Sequence, residues 1–167
     1  MKIYSTTEKN ALIVISLLKA HNILYIIASP GTTNNAFICI IQKEFFFNIS
    51  SSVDERSAAY MACGLAAETG EPVVISCTGA TASRNYIPGM TEAYYRKLPI
   101  LAITSTQPIA RIGHHIAQVI DRSKIQNDIA KLSVTLPIVK DDEDIWECEV
   151  KVNNAILELK RHGGGPV

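Results

Sequence analysis

Short apolar runs of strand length alternate along this chain with longer stretches whose apolar positions recur at helical spacing. The runs fall at 23–28, 45–50, 73–77, 99–104 and 134–139. The first, Ile23-Leu24-Tyr25-Ile26-Ile27-Ala28, is apolar throughout, as a strand covered on both faces requires. Between the runs, 8–20 predicts a helix with Leu12, Ile15 and Leu18 on one face. Thr6 or Thr7 can cap it, and His21-Asn22 ends it. A second helix is expected from Thr32 or Thr33 to Gln42. A third, over 54–69, is rich in alanine and stopped by Gly70 and Pro72. Residues 81–97 predict a fourth, kinked or started late by Pro88. Residues 110–131 read as short helical pieces, and 141–160 as a final helix. Asp141, Asp142 and Glu143 suit the positive end of that last helix's dipole. Strands alternating with helices imply an α/β fold of three layers, α/β/α, with a mainly parallel sheet of about five or six strands.

In such sheets ligands bind at the carboxyl ends of the strands. Gly31, Glu55 and Gly79 all fall at predicted strand ends. Each has an ordinary reading when taken alone: a strand-to-helix turn for Gly31 and Gly79, a solvated first-turn acid for Glu55. Their convergence on one edge favours a site.

Composition narrows the classes. Sixteen basic residues balance sixteen acidic ones, so no electrostatic footprint points to nucleic acid or an anionic membrane. No apolar stretch reaches the roughly 18 residues of a membrane span. The apolar run 11–18 lacks the flanks of a secretory signal. Cys39, Cys63, Cys77 and Cys148 are far apart and show no metal-ligand or redox spacing; three of the four lie in apolar segments and read as small buried hydrophobes, and a reducing, cytoplasmic setting is expected. His162-Gly163-Gly164-Gly165-Pro166-Val167 reads as a turn into a further strand, so the chain is expected to be a fragment or a subunit of a larger enzyme.

The ordered set of segments resembles a known family. It comprises Ser29-Pro30-Gly31, then Asp54-Glu55-Arg56-Ser57-Ala58-Ala59 through Gly64-Leu65-Ala66, Thr78 to Pro88, Glu92-Ala93-Tyr94-Tyr95 and Leu98-Pro99-Ile100. This pattern is similar to the N-terminal, pyrimidine-binding domain of the acetolactate-synthase-like thiamine diphosphate enzymes, over nearly all of residues 1–167. Within that superfamily it is most like the menaquinone-pathway carboligases.

The resemblance implies a role for each matched residue. Glu55 would hydrogen-bond a ring nitrogen of the cofactor's aminopyrimidine, favouring the imino tautomer that activates the thiazolium carbon. That task needs a carboxyl able to share a proton with a weakly basic nitrogen. Pro30, Gly31, Thr78, Thr81 and Asn85 would line the pyrimidine side. His114, His115 and Gln118 would face substrate, although a polar surface loop is an equal reading of that segment. The reaction implied is decarboxylation of a 2-oxo acid, ending in an aldehyde or in transfer of the acyl carbanion. Mg²⁺ and the diphosphate would sit on a second domain of the same or another chain, since the Gly-Asp-Gly…Asn motif is missing here. A homodimer or homotetramer is implied for the whole enzyme.

Three departures matter. The carboligases carry arginine in the loop matching Thr32-Thr33-Asn34-Asn35 and in the loop matching Ser105-Thr106-Gln107-Pro108. Their loss argues against a polyanionic acceptor such as isochorismate. The glycine of the Thr78-Gly79-Ala80-Thr81 turn is shifted relative to the family pattern. Two alternatives stay open: the small subunit of a two-chain decarboxylase of the sulfopyruvate type, and a non-catalytic structural or dimerisation relative.

Overall fold

A computed structural model describes residues 6–122 and 124–167. Four strands, β1 (Tyr25–Ala28), β2 (Asn48–Ser51), β3 (Val73–Cys77) and β4 (Ile100–Thr104), form one sheet in the order β2-β1-β3-β4. Every pairing is parallel, with Ile26 opposite both Ile49 and Val74, and Ile75 opposite Ala102. All four carboxyl ends therefore lie on one edge.

Helices cover both faces. Side chains alternate along each strand, so neighbours feed opposite layers. Ile26, Ala28, Val74 and Leu101 join the core under α1 (Lys9–Ala20), α2 (Asn35–Ile41) and α6 (Asp142–Glu158). Ile27, Val73, Ile75, Cys77 and Ile100 join the core under α3 (Glu55–Thr69) and α5 (Ile87–Arg96). The alanine-rich α3 buries Ala58, Ala59, Ala62, Cys63 and Ala66. Small side chains there let the helix lie close to the sheet and to α5. The expected α/β/α layering is thus observed.

Local chemistry sets the element ends. Asn22 takes a left-handed conformation (φ 55°) after α1, as its short polar side chain allows. Asp54 caps α3, accepting from Ser57 N at 2.7 Å. Pro88 marks a late start rather than a kink within one helix: residues 81–97 divide into α4 (Thr81–Asn85) and α5, joined at Tyr86. α2 begins later than expected. Asn34, just before it, turns its side chain inward to accept from Gly31 N at 2.9 Å and donate to Ser29 O at 3.1 Å.

Two expectations are corrected. The sheet has four strands among the described residues, not five or six. Residues 134–139 form no strand. Pro137 has no N–H to give a ladder, and the carbonyls of Thr135 and Pro137 accept from Lys151 Nζ and Asn10 Nδ2 instead. Val134, Leu136 and Val139 pack beside the first core as an irregular cover. The C-terminal turn does reach the sheet: Val167 N donates to Ile100 O, and Ala102 N to Val167 O, each at 2.8 Å. That is the bonding of a parallel pairing opposite Leu101. Among the described residues, no helix is long and apolar enough to cross a membrane.

Candidate active site

Loops leaving β1, β3 and β4 enclose a cleft of about 590 Å³ at the carboxyl edge of the sheet. Gly31, Thr32 and Thr33 line it from the first loop, Thr78, Gly79 and Ala80 from the second, and Ser105, Thr106 and Gln107 from the third. The segment 117–122 closes the remaining side. The loops are tied together: Thr33 Oγ1 and Ser105 Oγ are 2.6 Å apart. A side chain at Gly79 would strike Ser105 O at 2.7 Å.

Glu55 opens α3 after β2, at the same carboxyl edge but outside the cleft lining, and is half-buried. Asn85 Nδ2, at the end of α4, reaches its Oε2 at 3.5 Å. Oε1 has no hydrogen-bond partner among the described residues. Glu55 is also close enough to Cys77 and Tyr86 for its negative charge to hold their protons on. Burial is the larger cause for both: it pushes the Cys77 thiol up to about 12 and the Tyr86 phenol well above its ordinary value. The positive charge of Arg122 acts on Cys77 in the opposite sense. The buried end of β3 therefore feels the opposite charges of Glu55 and Arg122.

Ser29 Oγ and the Tyr86 hydroxyl are buried without a well-formed hydrogen bond. Ser29 and Cys77 both lie beside that hydroxyl. Neither Ser29 nor Tyr86 lines the cleft.

The residues singled out from sequence divide into three groups. Gly31, Thr78 and Gln118 line the cleft. Glu55 and Asn85 form a pair and do not line it. Pro30, Thr81, His114 and His115 are exposed and do not line it. His115 and Gln118 both take left-handed backbone conformations, at φ 54° and 62°. These turns leave both histidines on the surface, while Gln118 still borders the cleft.

Sequence reasoning missed Arg122. Its Nη1 donates to Thr104 Oγ1 at 2.7 Å and its Nη2 to Ser105 O at 2.8 Å, which places a cation in the cleft. The signal was faint: one Arg after Val119-Ile120-Asp121, in a stretch with no regular periodicity.

Comparison with known proteins bears on this arrangement. Residues 9–125 match the family described as "Thiamine pyrophosphate enzyme, N-terminal TPP binding domain". A 2-succinyl-5-enolpyruvyl-6-hydroxy-3-cyclohexene-1-carboxylate synthase of Bacteroides thetaiotaomicron is 38% identical over 160 residues, covering 96% of this chain and 29% of the relative. The enzyme of the same name from Cytophaga hutchinsonii is 30% identical over 90% of the chain and 27% of its own length. The chain thus spans less than a third of the curated relatives it matches. Among solved structures, the thiamine diphosphate-dependent 4-hydroxybenzoylformate decarboxylase of Rhodococcus jostii RHA1 superposes with a TM-score of 0.78 at 22% identity. That match covers 95% of this chain and 29% of the other. Benzoylformate decarboxylase from Polynucleobacter necessarius gives 0.75 at 19% identity, over 95% and 28% of the two chains.

Proposed function

Because the chain belongs to the thiamine pyrophosphate enzymes, as their N-terminal TPP binding domain, we propose that it is the pyrimidine-binding part of an enzyme that decarboxylates a 2-oxo acid. The remaining acyl unit is passed to an acceptor or released as an aldehyde. The relatives named as synthases favour the first course.

The observation that carries this reading is the Glu55–Asn85 pair at the carboxyl edge of the sheet. The residues present fit the aminopyrimidine end of the cofactor. Glu55 offers an unpartnered Oε1 to a ring nitrogen, and Asn85 steadies the other oxygen. Thr78 and Gly31 form the near wall. When bound, thiamine diphosphate supplies the carbon nucleophile and the electron sink for decarboxylation. The chain's own part is to exchange one proton between Glu55 and the ring nitrogen, and to keep that exchange away from bulk water. Gln118, across the cleft, is assigned to the substrate side.

The reading also assigns Mg²⁺ and the diphosphate to a second domain of the same or another chain. The whole chain described here would act as one domain of a homodimer or homotetramer. The length of the relatives supports a larger enzyme.

The test is Glu55→Gln in the full-length, cofactor-loaded enzyme. Turnover of a 2-oxo acid should fall by about 10²-fold or more, with an unchanged melting temperature. Calorimetric titration of thiamine diphosphate should show weaker binding. Full turnover by the Gln variant would refute the role of Glu55.

A further inference from the structure

Arg122 is a half-buried cation held by neutral acceptors. Thr104 Oγ1 and Ser105 O fix its guanidinium without cancelling its charge. Ion pairs among the described residues do not include Arg122 or Arg84. The exposed Arg84, on α4, is near enough for the two positive charges to repel. Burial and that repulsion both lower the proton affinity of Arg122. A partly desolvated guanidinium is costly unless a counter-charge approaches it. A Cβ on Gly79 would stand 3.7 Å from Arg122 Nη2, so the cation lies against the turn that leaves β3. Thr32, Thr33, Thr106, Gln107 and Gln118 add uncharged polar lining. The exposed Asp121 is the acid of that lining.

We propose that Arg122 binds a substrate carboxylate that the reaction does not consume. This makes the cleft selective for a substrate with such a group. The guanidinium fork matches a carboxylate geometrically. It also supplies, from another element, the positive charge that the loops 32–35 and 105–108 lack. The carboxylate could come from the 2-oxo acid donor, as a second acid group, or from the acceptor. The inference rests on the functional reading above.

The experiment uses the full-length enzyme carrying Arg122→Gln or Arg122→Lys, with Arg96→Gln as a control on a surface ion pair. For Arg122→Gln, the KM of one carboxylate-bearing substrate should rise at least about tenfold, with kcat within about twofold. The substrate that responds, donor or acceptor, identifies the source. A 2-oxo acid without a second carboxylate should be unaffected as donor. Arg122→Lys should recover part of the loss, and it keeps the test open if Arg122→Gln folds poorly.

Calorimetric titration with succinate reads the site without turnover; Arg122→Gln should weaken it at least about tenfold. Unchanged KM and succinate affinity in both Arg122 variants would overturn the proposal. So would a loss confined to kcat. If Glu55→Gln kept full turnover, the functional reading would fail while the succinate titration still reported on Arg122.

Discussion

Gly31 and Thr78 are so close that a Cβ on Gly31 would stand 2.1 Å from Thr78 Cγ2. The loop leaving β1 and the turn leaving β3 therefore meet at one wall of the cleft, and the missing side chain permits it. Gly31→Ala should force the loops apart and cost about 1–3 kcal/mol of stability, the usual range for overpacking. Thr78→Ser removes the clashing methyl, so the double variant should recover most of the loss. Urea unfolding of the four proteins in this cycle checks both statements. Equal losses with threonine and serine at 78 would show that the contact is not the cause.

Gly89 and Gly64 make opposite predictions. A Cβ at Gly89 would lie 2.5 Å from Ala59 Cβ and 3.1 Å from Ala59 C, where α5 crosses α3. At Gly64, on α3, nothing lies within 4 Å. Gly89→Ala should therefore destabilise by about 1–3 kcal/mol, and Gly64→Ala should stabilise by about 0.4–1 kcal/mol. Thermal melts of the two variants should move in opposite directions. Two shifts of the same sign would contradict the packing of these helices.

Asp54 fixes the helix turn that carries Glu55. Its Oδ2 accepts from Ser57 Oγ at 2.6 Å and from Ser57 N at 2.7 Å, and these bonds hold its carboxyl below the usual value of 3.8. A carboxyl whose folded value is depressed adds stability above its unfolded value, and loses it as pH falls through the folded one. Asp54→Ala should lower the melting temperature at pH 7. The gap from the parent should narrow once the pH is taken below 3.8. A gap that widened in acid would refute the capping role.

The thiols set an alkaline limit. Burial pushes Cys63 and Cys148 up to about 11 and Cys77 to about 12, from an ordinary 9.0. The folded state keeps these protons while the unfolded chain releases them above 9.0. Stability from the thiols is thus complete below pH 9, and declines from there towards 11–12. The urea midpoint should hold to about pH 9 and then drop, with a shallower drop in Cys77→Ala. Iodoacetamide at pH 8 should modify the exposed Cys39 in the native protein, and the other three thiols only after unfolding. Prompt native-state labelling of Cys77 would contradict its burial.

Much of the fold was legible before any coordinates. The run Val73–Cys77 appears as β3 with the bounds its apolar residues marked. Asp54, Gly70 and Pro72 framed α3 closely. Residues 134–139 misled, because apolar spacing alone does not say whether a segment will pair with a strand or cover a helix. Pro137 tipped that choice, and the side chains of Asn10 and Lys151 completed it by taking carbonyls a ladder would have used.

The candidate site was legible only in part, for a related reason. Residue type and position along α/β units put Gly31, Glu55 and Thr78 at the edge where ligands bind, because parallel strands bring their carboxyl ends together. The sequence by itself thus determined the layering, and it marked a candidate edge and a candidate acid on it. Tertiary structure alone decided which loop residues face the cleft. Left-handed turns at His115 and Gln118 leave the histidines outside, while Arg122 folds back onto Thr104 and Ser105. Local periodicity is encoded by neighbours a few residues apart, whereas that placement depends on contacts 17 and 18 residues distant in the chain.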